Sequence, residues 1–146
     1  MVRKGVIEQQ IEEMARMLGA LVGLKTQGDD AAVREAMQNG FKSATGLDLA
    51  AALALSEETL LTLLIGDPAQ PDVGKCAAAG LLLAEQADQF IARLHGLRPP
   101  AIVAVERKAL ALLNVALQEE NKMPSVAGEL RERRTVLALR LGVDAV

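Results

Sequence analysis

Apolar positions recur at spacings of three and four along nearly the whole chain, the period of helices that bury one face. From about Arg3 to Leu24 the seam is Ile7, Ile11, Met14, Leu18 and Leu21. Met17, Val22 and Leu24 widen it, while Glu8, Glu12, Glu13 and Arg16 take the wet side. Gly28-Asp29-Asp30 interrupts this pattern and offers an N-cap to a second helix. That helix carries Val33, Ala36, Met37, Gly40, Phe41 and Ala44 on one face, and Gly46 ends it. Leu47 then stands where an apolar contact after the cap belongs. Asp48 opens a short Leu/Ala helix to about Leu55, and Ser56-Glu57-Glu58 caps another through Ile65.

Gly66 to Asp72, with two prolines, cannot continue a helix and predicts a surface loop. The period returns from Val73 to His95 through Val73, Ala77, Gly80, Ala84, Ala87, Ile91 and Leu94. Small residues in the middle of this segment predict close approach of a neighbouring helix. Gly96 to Pro100 ends it and places proline in the first turn of the next helix, about Pro100 to Glu120. There the apolar face is Ile102, Val105, Ala109, Leu112, Leu113 and Ala116. A turn at Asn121 to Pro124, with Ser125 as cap, leads to a last helix, Val126 to Leu141. In it Glu129, Arg131, Glu132, Arg133, Arg134 and Arg140 surround Leu130, Leu137 and Leu141 and are expected to form a solvated face. Period-two alternation persists nowhere. The fold expected is all-α, a compact array or bundle of about six helices in one domain spanning 1–146. Its C-terminal half admits tetratricopeptide-like hairpins, with segments around Lys75 and Lys108 aligning loosely at a spacing of 33 residues.

Composition changes the picture in one respect. Apolar residues make up 51% of the 146, yet there is no Trp, no Tyr and only Phe41 and Phe90. The core must be built from Leu and Ala, and few residues remain for chemistry. A chain this long buries about 68–70% of its unfolded surface, so no metal or disulfide staple is needed. The lone Cys76 makes no internal bridge. A net charge of −3 argues against nucleic-acid binding. The longest apolar run, Cys76 to Ala84, is far short of a membrane span. Glu8, Glu12 and Glu13 follow Arg3 and Lys4 where a signal peptide needs an apolar run, so a cytoplasmic location is expected.

Candidate chemistry is correspondingly thin. His95 lacks the nucleophile and orienting acid of a hydrolase triad. Cys76 has Lys75 beside it, which would favour a thiolate, but it sits on an apolar helix where a thiol packs as a small hydrophobe. Paired acids at helical spacing, Glu8 with Glu12 and Glu85 with Asp88, are the one arrangement able to hold a divalent metal. They carry the alternative reading, a metal-dependent hydrolase of the all-α nucleotide pyrophosphohydrolase type. Arg131, Arg133, Arg134 and Arg140 could meet phosphate, but Glu129 and Glu132 interrupt them and no aromatics are interleaved.

Gln10-Ile11-Glu12-Glu13-Met14-Ala15-Arg16-Met17-Leu18, then Gly23-Leu24-Lys25, Thr45-Gly46-Leu47-Asp48-Leu49, Leu55-Ser56-Glu57-Glu58 and the Ala/Leu-rich stretch from Cys76 form a series. It resembles an uncharacterised family of short all-helical bacterial proteins. That resemblance implies a helical fold and carries no activity, cofactor or catalytic residue.

The function expected is therefore contact: a non-enzymatic helical interaction or assembly module, without cofactor, for a protein partner or a second copy in a homo-oligomer. The expected interface is Ile7, Ile11, Met14, Met17, Leu18, Leu21 and Val22. Neither nucleic acid nor membrane is an expected partner.

Overall fold

The computed structural model describes residue 28 and residues 30–142. The predicted first helix, with all seven expected interface residues and the pair Glu8 and Glu12, lies outside the described residues. The described residues form six α-helices in order: α1 Asp30–Thr45, α2 Leu49–Ala54, α3 Glu57–Ile65, α4 Val73–Arg93, α5 Pro100–Leu117 and α6 Ala127–Leu141. A single 3₁₀ turn, Glu120–Lys122, stands before α6. Among the described residues there is no strand, and no helix is long and apolar enough to cross a membrane.

The helix ends follow local chemistry. At the end of α1, Gly46 takes φ +78 and returns its N–H to the Lys42 carbonyl at 2.8 Å, a left-handed stop. Thr45 Oγ1 donates to the Phe41 carbonyl and accepts from the Leu47 N–H, which holds the turn into α2. Ser56 caps α3 by accepting from the Thr59 amide, and Asp72 caps α4 by accepting from that of Lys75. Pro100 occupies the first position of α5, as expected.

Three boundaries differ from the sequence reading. Helix α4 stops at Arg93, because the chain turns left-handed at both His95 (φ +55) and Gly96, whose N–H reaches back to the Ile91 carbonyl. Helix α5 stops at Leu117 rather than Glu120. Ser125 is not the cap of α6. Val126 holds that position without a side-chain cap, and the Met123 carbonyl accepts from both Val126 and Ala127.

Helix α4 is the axis of the fold. The sequence pattern predicts one buried face, but from Val73 to Ala87 every residue except Lys75 is buried. The reason is that α1, α3, α5 and α6 all pack against it, and an encircled helix needs apolar or small residues all round. Its most extensive contact is with α5, across Gly80. A Cβ at Gly80 would stand 2.9 Å from the Leu113 side chain and 3.3 Å from the Ala109 carbonyl, so the close approach requires glycine. Met37 and Phe41 of α1, Leu60 and Leu64 of α3, Leu112 and Leu113 of α5 and Leu130 and Leu137 of α6 complete one contiguous core. Met123, fully buried, plugs it beneath the 3₁₀ turn. Leu94, expected on the buried face, is exposed beyond the helix end.

Candidate functional site

Two features stand out: a part-buried ion-pair network between α4, α5 and α6, and an open trough along α5. The network begins with Glu106 on α5, whose exposure is 0%. Arg98, just before α5, donates from Nε to Glu106 Oε1 at 2.8 Å, and its Nη2 lies 2.6 Å from the same oxygen. Arg140 of α6 donates from Nη1 to Glu106 Oε2 at 3.3 Å and to Asp88 Oδ1 of α4 at 2.6 Å. Arg133, two helical turns earlier, donates to Asp88 Oδ2 at 2.8 Å and to Glu85 Oε2 at 3.2 Å. The chain Arg98–Glu106–Arg140–Asp88–Arg133–Glu85 thus alternates in sign across three helices.

Burial pushes the Asp88 carboxyl up, but the hydrogen bonds and charges of Arg140 and Arg133 outweigh it and hold the group below the usual carboxylate range. The same hydrogen bond, donated to Asp88, raises Arg140 against its own desolvation. Such a network contributes little net stability relative to apolar packing, yet breaking it strands buried charge. Its effect is to set the register of α6 on α4 and α5.

This geometry corrects one expectation and places the paired acids of α4. Arg133 and Arg140 do not belong to a solvated face; they turn inward, at the positions that Leu130 and Leu137 extend along one stripe of α6. Glu85 and Asp88 do share a site, but Arg133 holds both. Among the described residues no three His, Cys, Asp or Glu side chains are arranged to hold a metal ion. Arg131 pairs instead with Glu120 on the surface.

The other candidates fall apart in space. Cys76 is fully buried in α4, where desolvation, reinforced by the charge of Asp72, pushes its thiol up to about 12. It is a packing residue in its protonated form. His95 is exposed in the left-handed turn after α4.

The trough is formed by two adjoining cavities, of about 680 and 280 Å³, which share Glu57 and Arg107. Its floor is the outer face of α5: Pro100, Val103, Ala104, Arg107, Leu110, Ala111 and Asn114, at spacings that keep them in line. One wall is Leu55, Ser56 and Glu57 at the start of α3, and Leu141 at the end of α6 stands across from it. From Pro100 to Asn114 this floor runs about 21 Å at the helical rise.

Three cations border the trough. Arg98 is held by Glu106, and Arg107 is exposed with no ion pair to another described residue. Lys108 is buried, and its Nζ donates to the Leu53 carbonyl at 2.8 Å and the Ala52 carbonyl at 3.3 Å. It therefore ties α5 to the carbonyl end of α2. Burial lowers its pKa, partly offset by Glu57.

Sequence reasoning missed Glu106 and Lys108. Glu106 had a signal: it stands four residues after Ile102 and three before Ala109, inside the apolar face. Lys108 had none, because its carbonyl partners lie more than fifty residues away in the chain.

Comparison with protein-family models, with curated proteins and with solved structures finds no match for this chain.

Proposed function

We propose that this chain is a helical assembly module, in which the trough along α5 of one copy receives the amphipathic segment Ile7 to Val22 of another. The trough's makeup carries the reading. Its floor is apolar, formed by half-buried Val103, Leu110 and Ala111, with Leu141 at the edge and, in the middle, the guanidinium of Arg107, which has no ion pair among the described residues. That is the chemistry of a groove for an amphipathic helix with acidic flanks.

The proposed occupant matches in charge and length. Around the seam Ile7, Ile11, Met14, Leu18 and Leu21 stand Glu8, Glu12 and Glu13 against a single Arg16. As a helix, Ile7 to Leu21 would span about 21 Å, the length of the floor. Met17 and Val22 extend its apolar surface beyond one seam, as a segment packed on two sides requires. Methionine adapts readily to such contacts.

Light scattering tests the proposal. The wild type should be larger than a monomer at high micromolar concentration. Met17→Asp and Val22→Asp should each yield a smaller species with unchanged helical circular dichroism, because burying an unpaired carboxylate is costly. A strictly monomeric wild type rejects the proposal. Variants that simply unfold would place the segment in the chain's own core and reject it equally.

A further inference from the structure

We propose that the segment Ile7 to Val22 also closes over the α5 trough of its own chain, so that copies assemble by exchanging it. This exchange rests on the assembly reading above and adds its control, the seven residues Gly23 to Asp29.

The trough opens beside the start of α1. Arg34, one turn into α1, lines a depression of about 190 Å³ together with Leu49 and Leu53 of α2 and Phe90 and Arg93 at the end of α4. Leu55, two residues after Leu53, and Arg98, five after Arg93, line the trough around its Pro100 end. Helix α2 lies between depression and trough, tied to α5 by Lys108 through the Ala52 and Leu53 carbonyls. The start of α1 and the Pro100 end of the trough therefore share one end of the molecule, on either side of a single six-residue helix.

The chain before α1 is long enough to cross that helix. A helix with its side chains is about 10–12 Å across. Val22 and Asp30 are eight residue steps apart, a reach of about 26–29 Å, more than twice that width. Tethered so closely, the segment would meet Arg107 of its own chain at an effective concentration in the millimolar range. The tether also fixes direction: Val22 would lie over the Pro100 end and Ile7 toward Asn114, antiparallel to α5. The same contacts form in a partner's trough, as in any swapped element. What separates the closed monomer from the exchanged oligomer is then the path of Gly23 to Asp29 and the protein concentration.

Shortening that path tests the exchange by sedimentation equilibrium. Deleting Leu24 to Gln27 leaves four steps, about 13–14 Å, too short to pass over α2. Removing the competing closure should tighten association at least about tenfold. A Gly/Ser insertion of similar length at the same place should not tighten it. Unchanged or weaker association in a folded deletion variant overturns the exchange, and the assembly reading survives if the wild type still associates. A deletion variant that associates while the wild type stays monomeric supports closure and rejects the assembly reading.

Should the deletion variant fail to fold, a nitroxide keeps the exchange testable. Placed on Ala101→Cys in a Cys76→Ala background, it sits on an exposed residue beside the trough without lining it. In dilute ¹⁵N-labelled monomer it should broaden the amide signals of Leu21 and Val22 more than that of Ile7. Equal broadening, or none, overturns closure within one chain.

Discussion

Arg140 donates to Asp88 at 2.6 Å from the last turn of α6 to the second half of α4, which helps hold the Asp88 carboxyl below the usual carboxylate range. Because its folded pKa lies below its unfolded value, the group contributes stability that is fully present above about pH 4 and lost as pH falls through the folded pKa. Asp88→Asn should lower stability at pH 7 and flatten the loss of stability on acidification below pH 4. Urea titrations across that range measure it. An acid limb as steep in Asp88→Asn as in the wild type would show that the pair is not linked to folding.

Glu106 is the harder residue to remove. Glu106→Ala leaves Arg98 without its anion and Arg140 with Asp88 alone, and because both guanidiniums are partly open to water the cost should fall below the roughly 3–5 kcal/mol of a fully buried pair. Arg131→Ala, by contrast, removes a surface partner of Glu120 and should cost less than about 1 kcal/mol. Equilibrium denaturation of the two variants reads the contrast. Equal losses would contradict the burial argument.

How much of this was legible in the sequence depends on whether a signal was local. The caps at Gly46, Ser56 and Pro100 and the α5 face from Ile102 to Ala116 follow from neighbours in the chain, and the structure has them where the pattern puts them. The apolar periodicity of α4 and α5 continues past their ends at Arg93 and Leu117, so it does not mark the stops; α4 ends in the left-handed turn at His95 and Gly96. Arg133 and Arg140 were misread because arginine at a helical surface is ordinarily solvated. Their spacing with Leu130 and Leu137, one continuous stripe, was the overlooked sign that they face inward. The trough has no sequence signature at all, since Glu57, Arg107 and Leu141 meet only once three helices are docked.

Gly80 predicts a cost where helix propensity alone predicts a gain. Gly→Ala in a helix interior is worth up to about 1 kcal/mol. Overpacking typically costs about 1–3 kcal/mol, and here the new methyl would meet the fully buried Leu113 at 2.9 Å. Gly80→Ala should therefore be destabilising by about 1 kcal/mol, and Leu113→Ala should cost less in its presence than alone. A double-mutant cycle by thermal denaturation checks this. A stabilised Gly80→Ala protein would mean that the α4–α5 contact is looser than described.

Cys76 should be silent in the folded protein. With its thiol pushed up to about 12 and no exposed surface, it stays protonated and shielded at pH 8. A thiol-exchange reagent such as dithionitrobenzoate should react only as fast as the chain opens, and rapidly in guanidinium. Cys76→Ala should retain the oligomeric state of the wild type. Fast labelling of the native protein would contradict this.

The central claim, that the α5 trough of one copy holds the N-terminal segment of another, rests on charge complementarity at Arg107. Sedimentation equilibrium of a charge swap tests it most directly. Arg107→Glu alone should shift the equilibrium toward monomer while leaving the circular dichroism helical. Combining it with Glu8→Lys, Glu12→Lys and Glu13→Lys should restore association. Arg107→Glu protein that associates as tightly as the wild type, or a monomer that the compensating lysines fail to rescue, would contradict the account.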